Sequence, residues 1–141
     1  FNLIFMQVES PLRPKDFFIK KVCIGAKNKK KIIVGNINTY RDYSWVTDIV
    51  KAIFFTSNLK TQDYLISAGK KMSGKKILEK AYSLNNLNYK NFFTINKKFF
   101  RKKENKVLIG SIKNSYYLKK RFNFSFKIFG DKLVKEMYRN L

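Results

Sequence analysis

The chain has 141 residues, of which 31 are Lys or Arg and 9 are Asp or Glu, with a net charge of +22, one cysteine and no histidine. That length suits one domain with a core of its own, and 45% hydrophobic with 16% aromatic residues excludes wholesale disorder. The absence of histidine excludes imidazole triads and proton shuttles, the lone Cys23 excludes an internal disulfide, and together they argue against a zinc site.

Cys23 also suits a reducing, cytoplasmic setting. No apolar run approaches the roughly 18 to 20 residues of a membrane helix. The opening FNLIFMQ lacks both a basic lead and an initiating Met, so no signal peptide is expected there. The charge invites a nucleic-acid reading, but only 5 of the 31 basic residues are Arg. Lysine is spread along the whole chain beside abundant Asn, Ile, Phe and Tyr, a bias that an AT-rich coding sequence produces without selection for binding. Arg, the side chain best shaped for bidentate phosphate recognition, is the depleted one. A basic RNA-binding domain stays as an alternative, and it would use Phe92 and Phe93 as stacking rings on an exposed sheet.

In chain order, FNLIFMQ at 1–7 predicts a strand buried on both faces of a parallel sheet. ESPLRPK follows as a turn marked by Pro11 and Pro14. Asp16 is placed to cap a short helix carrying Phe17, Phe18, Val22 and Cys23 on one side. A basic loop then leads to KIIVGN, a second strand ended by Gly35 and Asn36. Trp45, Val46, Ile49, Val50, Ile53 and Phe54 recur at helical spacing, predicting an amphipathic helix over 44–56 with Asp42 or Ser44 as its N-cap. DYLISA, 63–68, is a third strand closed by Gly69. Ser73 caps a helix bearing Ile77, Leu78, Ala81 and Tyr82. NFFTI, 91–95, is a fourth strand, and FFRKKENKVLIG is a loop with a short apolar step. Ser111 opens a helix through Leu118, and 131–139 forms a last helix with Leu133, Val134 and Met137 inward. Alternating strands and helices predict an α/β or α+β class. A buried strand needs neighbours that this chain supplies sparingly, so a piece of a longer protein is expected.

Catalytic patterns are thin. The nine acids form no close sequence pair, no Gly-rich phosphate loop occurs, and the Tyr116 to Lys120 spacing is the chance product of many lysines. Cys23 reads as a small core residue. The arginines carry more information because the composition selects against them. For Arg41 two readings stand. One is a local ion pair with Asp42 or Asp48 at the helix start, worth at most about 1 kcal/mol. The other is a guanidinium held at a sheet edge to clamp a diphosphate. Glu104 and Asn36 divide in the same way, between a solvated acid and a turn residue on one side and ligand contacts on the other.

RDYSWVTDIVKAIF resembles the Arg-Asp-Trp/Tyr-x-x-x-x-Asp segment of extended short-chain dehydrogenases, the nucleotide-sugar epimerases and dehydratases. Flanking stretches are similar to one family within them, the GDP-mannose 4,6-dehydratases. NLIFMQVESPLRPKDFFIKK is similar to its Asn-His-Glu-Ser-Pro-Arg-Arg-Gly segment, GNINTYRDYSW to its Gly-Asn-x-x-x-x-Arg-Asp-Trp, and DYLISAGKKMSGKKILEKAY to its next strand, turn and helix. FFRKKENKVLIG is similar to its Tyr-Phe-Arg-Pro-x-Glu-Val loop, and FSFKIFGDKLVKEMY to its closing helix. The resemblance covers essentially all 141 residues.

The resemblance implies the C-terminal, substrate-binding part of such an enzyme, with 1–8 the last part of a truncated Rossmann sheet. Residues 9–141 would form the nucleotide-sugar domain, with 41–68 packing on the Rossmann part. The family uses NADP to oxidise C4 of the hexose, eliminates water across C5 and C6, and returns the hydride to C6. The residues that perform this lie upstream of the matched segment, so no catalytic residue is expected in this chain. Carried across, Arg41 and Arg101 become clamps for the GDP diphosphate, Glu104 a ribose acceptor and Asn36 a turn residue near the nucleotide. Lys21 falls near the base, Gln7 stands where the family has Asn, and Glu9 and Arg13 fall in the loop that approaches NADP. A homo-oligomer and no nucleic acid are implied for the full-length enzyme. Departures bear on the sugar and on activity: Val8 replaces the His, Leu12 an Arg, Pro14 the Gly, and Lys102 and Lys103 the residues after Arg101. Another nucleotide-sugar epimerase or dehydratase is the alternative within the superfamily.

Overall fold

In the computed structural model, which describes residues 2–141, the apolar N-terminal run does not form one strand. It bends at Met6 into β1 (Leu3–Phe5) and β2 (Gln7–Glu9), and Phe1 lies outside the described residues. The division follows from pairing. β1 runs parallel to β5 (Tyr64–Ile66), whereas β2 runs parallel to β4 (Tyr40–Trp45). Ile4 and Phe5 stand exposed, so the expectation of a strand buried on both faces fails among the described residues.

β4 was not expected as a strand, and it is the central one. Gln7, Val8 and Glu9 of β2 lie in register with Tyr43, Ser44 and Trp45. β6 (Lys71–Ser73) pairs antiparallel with Tyr40–Asp42, and β8 (Val107–Leu108) pairs parallel with Tyr40 and Arg41 on the opposite edge. β3 (Ile32–Val34) and β7 (Phe93–Ile95) form a separate parallel pair. The class is mixed α/β, as the alternation of elements predicts.

The helix expected over 44–56 begins two residues later, as α2 (Val46–Thr56), because β4 carries the chain extended through Trp45. Neither Asp42 nor Ser44 caps it. Alternation along the strand turns both to the face opposite Arg41. There the Ser44 hydroxyl accepts from the Ala68 amide at 3.2 Å. Asp42 Oδ2 accepts from the amides of Gly69 at 2.8 Å and Gly110 at 3.2 Å. Asp48 of α2 likewise accepts from the amides of Lys127 and Ile128, pinning the chain before the last helix. Glycine is required at both donors to Asp42. A Cβ on Gly110 would lie 2.1 Å from Ser67 Oγ, and Gly69 adopts φ +68 with Ile112 equally close.

α1 (Phe18–Lys27) starts at Phe17 without a side-chain cap, so Asp16 does not cap it. α3 (Gly74–Ser83) does start as its sequence predicts, with Ser73 Oγ accepting from the Lys76 amide at 3.1 Å. α4 (Lys113–Phe122) runs past Leu118 and ends at Asn123 in the left-handed conformation, and α5 (Gly130–Arg139) closes the chain. Leu133, Val134 and Met137 of α5 are fully buried against α1 and α3. Each such side chain contributes roughly 1.5 to 3 kcal/mol. Cys23 lies in this core, as expected of a small apolar residue, and burial pushes its thiol up to about 12. A second cluster joins α2, β5 and α4, with Phe55 stacked on Phe122 at 5.0 Å.

Asp42→Ala is expected to destabilise the fold by about 3 kcal/mol, because two enclosed backbone donors lose their acceptor. Removing Glu79, whose pair with Lys76 is half in solvent, should cost under about 0.5 kcal/mol. Urea unfolding midpoints measure both, and equal midpoints for the two variants would show that the Asp42 tie does not hold the sheet.

Candidate functional site

A cleft of about 700 Å³ opens between the start of α1, the end of β3, one face of β4 and the 97–104 loop. All eight residues singled out in the sequence line it: Gln7, Glu9, Arg13, Lys21, Asn36, Arg41, Arg101 and Glu104. They come from five segments of the chain, and the pairing of β2 with β4 brings the first of them to the same wall as Arg41.

Arg41 is only 8% exposed and is heavily committed. One terminal nitrogen donates to the carbonyls of Tyr40 at 2.8 Å and Asn105 at 2.9 Å, and the other donates to Glu104 Oε1 at 3.0 Å. The local ion pair with Asp42 or Asp48 is therefore not formed. Adjacent residues of a strand face opposite ways, so Arg41 and Asp42 serve different sides of the sheet. Glu104 Oε2 in turn accepts from Asn36 Nδ2 at 3.2 Å. Asn36 does act as a turn residue, its Oδ1 accepting from the Asn38 amide. Each carboxylate oxygen of Glu104 thus keeps a lone pair for a further donor.

Arg13 donates to the Val8 carbonyl at 2.8 Å and to Glu9 Oε1 at 2.7 Å, with its guanidinium 3.6 Å over the Phe17 ring. Glu9 is 2% exposed and its Oε2 has no protein partner among the described residues. Burial dominates over the stabilising pair with Arg13 and pushes this carboxyl up to about 7. Lys21 carries its ammonium 5.7 Å from the centre of the Phe99 ring, a side chain that also lines the cleft. Arg101 forms no hydrogen bond or ion pair with the described residues, so its fork remains available.

Tyr43, two residues after Arg41 on the same face of β4, was missed in the sequence. The signal existed: had 40–45 been read as a strand, period-two alternation would have put Tyr43 beside Arg41. Phe92 and Phe93, the rings that RNA stacking would need, pack against the core instead, on Tyr82 and Tyr89. Among the described residues no cluster of three or more Cys, Asp or Glu side chains could hold a metal ion, and no helix is long and apolar enough to cross a membrane.

A family model described as GDP-mannose 4,6 dehydratase matches residues 1–137. GDP-mannose 4,6 dehydratase 1 of Arabidopsis thaliana is 28% identical over 142 aligned residues, which take in 96% of this chain. The chain spans only 38% of the length of that relative. Among solved structures, a UDP-glucuronic acid 4-epimerase from Bacillus cereus, in complex with UDP-glucuronic acid and NAD, superposes with a TM-score of 0.79 at 14% identity, covering 98% of this chain and 43% of that one. RMD from Pseudomonas aeruginosa, complexed with NADPH, gives 0.76 at 15% identity, covering 98% and 46%. At such identities these two show a shared fold.

Glu9 sets a pH dependence. Its carboxyl ionises near 4.5 when unfolded and at about 7 when folded, so between these values the folded state holds a proton that the unfolded state has lost. Stability contributed by this group is full below pH 4.5 and falls as the pH rises towards 7, by about 3 kcal/mol in all. Glu9→Gln is expected to remove that share of the slope. Urea unfolding at pH 5 and pH 7.5 tests it, and identical slopes in the two chains would contradict the assignment.

Proposed function

We propose, for a chain that belongs to the GDP-mannose 4,6-dehydratase family, that the cleft binds the GDP moiety of a nucleotide sugar and that the hexose is mannose. The observation that carries this reading is the convergence of Arg13, Arg41, Arg101 and Lys21 on one cleft, with Arg101 uncommitted. A planar guanidinium with free donors suits the oxygens of a diphosphate. Arg41 acts on this reading mainly by holding the 104–105 segment in place, and Glu104 accepts from a ribose hydroxyl through its spare lone pairs. On this reading Lys21 meets the base, Asn36 is a turn residue near the nucleotide, and the Gln7 amide donates to a phosphate oxygen.

The hydride chemistry belongs, in this proposal, to a dinucleotide-binding half outside these 141 residues, which also supplies most of the contacts to NADP. This chain contributes Glu9 and Arg13 to the cofactor. When bound, the cofactor supplies the oxidation of the hexose and the return of the hydride. The outer edge of β1, with Ile4 and Phe5 exposed, and the exposed Val50 and Phe54 of α2 suit a docking surface for that half. Residues 1–8 and 41–68 would then form the junction, in a full-length cytoplasmic homo-oligomer.

Calorimetry with GDP tests the binding role. Arg101→Gln is expected to weaken GDP binding by about tenfold to a hundredfold, the range for a charge-assisted hydrogen bond. The 141-residue chain is expected to bind GDP without converting GDP-mannose in the presence of NADP. Unchanged GDP affinity in the variant would remove the diphosphate role of Arg101, and turnover by the chain alone would overturn the division of labour.

A further inference from the structure

Tyr43 occupies the middle of the charged wall, 9% exposed, with its side chain lining the cleft. The charges that act on its phenol are Glu9, Arg41, Arg13 and Arg101, three cations against one acid. Burial is the largest influence and pushes the phenol up, so the hydroxyl keeps its proton at neutral pH. No protein acceptor for that proton lies within hydrogen-bond distance among the described residues, and the oxygen is not among the fully enclosed unsatisfied atoms.

An account of the donors around it narrows what the hydroxyl can meet. Arg41 uses three of its five N–H donors on Tyr40, Asn105 and Glu104, and Arg13 uses one terminal nitrogen on Val8 and Glu9. Arg101, Lys21 and the Tyr43 hydroxyl line the cleft and make no side-chain hydrogen bond to a protein acceptor among the described residues. Phosphate oxygens only accept, so a set of uncommitted donors in a field of positive charge matches a phosphoryl group better than a sugar hydroxyl, which must also donate.

We infer that Tyr43 is a further anchoring residue of the cleft, its phenol donating to a diphosphate oxygen of the bound nucleotide beside the Arg101 guanidinium. The inference rests on the nucleotide-binding reading above and assigns a role that composition and motif did not reach. The ring of Tyr43 packs in the core cluster, so Tyr43→Phe removes the donor and leaves the packing.

Calorimetry on the 141-residue chain with GDP and with guanosine decides it. Tyr43→Phe is expected to weaken GDP by about tenfold and leave guanosine unchanged. GDP affinity that is equal in the two chains overturns the role of Tyr43 while the nucleotide reading survives. Equal weakening of GDP and guanosine shows a structural effect and overturns it as well. If the unaltered chain binds GDP no better than guanosine, the diphosphate reading itself fails and takes this role with it. Should thermal melting show that the variant has lost its fold, ring-labelled tyrosine NMR on the unaltered chain serves instead. A phenol resonance that moves with inorganic pyrophosphate and not with guanosine supports the inference, and none moving overturns it.

Discussion

The buried carboxylate of Asp42 is the tie on which the rest of the molecule depends. It is fully enclosed, and it draws the amides of Gly69 and Gly110 onto the central strand from segments 27 and 68 residues away. Burial raises its pKa, and the backbone donors that favour the charged form offset that only in part. With 69 and 110 fixed, the chain before β6 and the chain after β8 arrive on the two edges of β4. The opposite face of β4 is then free to present Arg41 and Tyr43 to the cleft.

Charge balance in the cleft follows from that placement. Arg41 and Arg13 are each paired with an acid of the cleft, Glu104 and Glu9. Both acids are held by hydrogen bonds as well as by charge, and paired groups of this kind position a surface more than they attract a ligand. The attraction falls to the uncommitted donors. The surplus of lysine over the rest of the chain adds a long-range, salt-screened pull on any anion without directing it to one place.

How far the sequence could be read depended on whether a residue's role was local. Ser73 caps α3 because a hydroxyl three residues before an amide needs nothing else, and Leu133, Val134 and Met137 share a face by helical geometry alone. β4, β6 and β8 were not legible in this way. β6 and β8 are only three and two residues long, β4 is polar or mixed along its length, and each exists only because a distant segment completes its hydrogen bonds. Misreading β4 had a chain of consequences. Asp42 and Ser44 passed for caps, a pair of Arg41 with Asp42 or Asp48 stood as one of its two readings, and Tyr43 passed for nothing in particular. The eight candidate residues came from motif resemblance, which placed them in one list without saying which would face an open donor and which a protein partner.

The sequence by itself determined the class, the three core helices with their inward faces, and the family motifs that mark the cleft residues, because periodicity, capping and motif order are properties of neighbours along the chain. Only the tertiary structure decided that Arg41 is spent on Glu104 and the 105 carbonyl, that Arg101 is left uncommitted, and that Glu9 is buried far enough to titrate near neutrality. Commitment and burial depend on which acceptors and how much apolar surface arrive from elsewhere in the chain. Those arrivals are set by the pairing of strands too short to announce themselves.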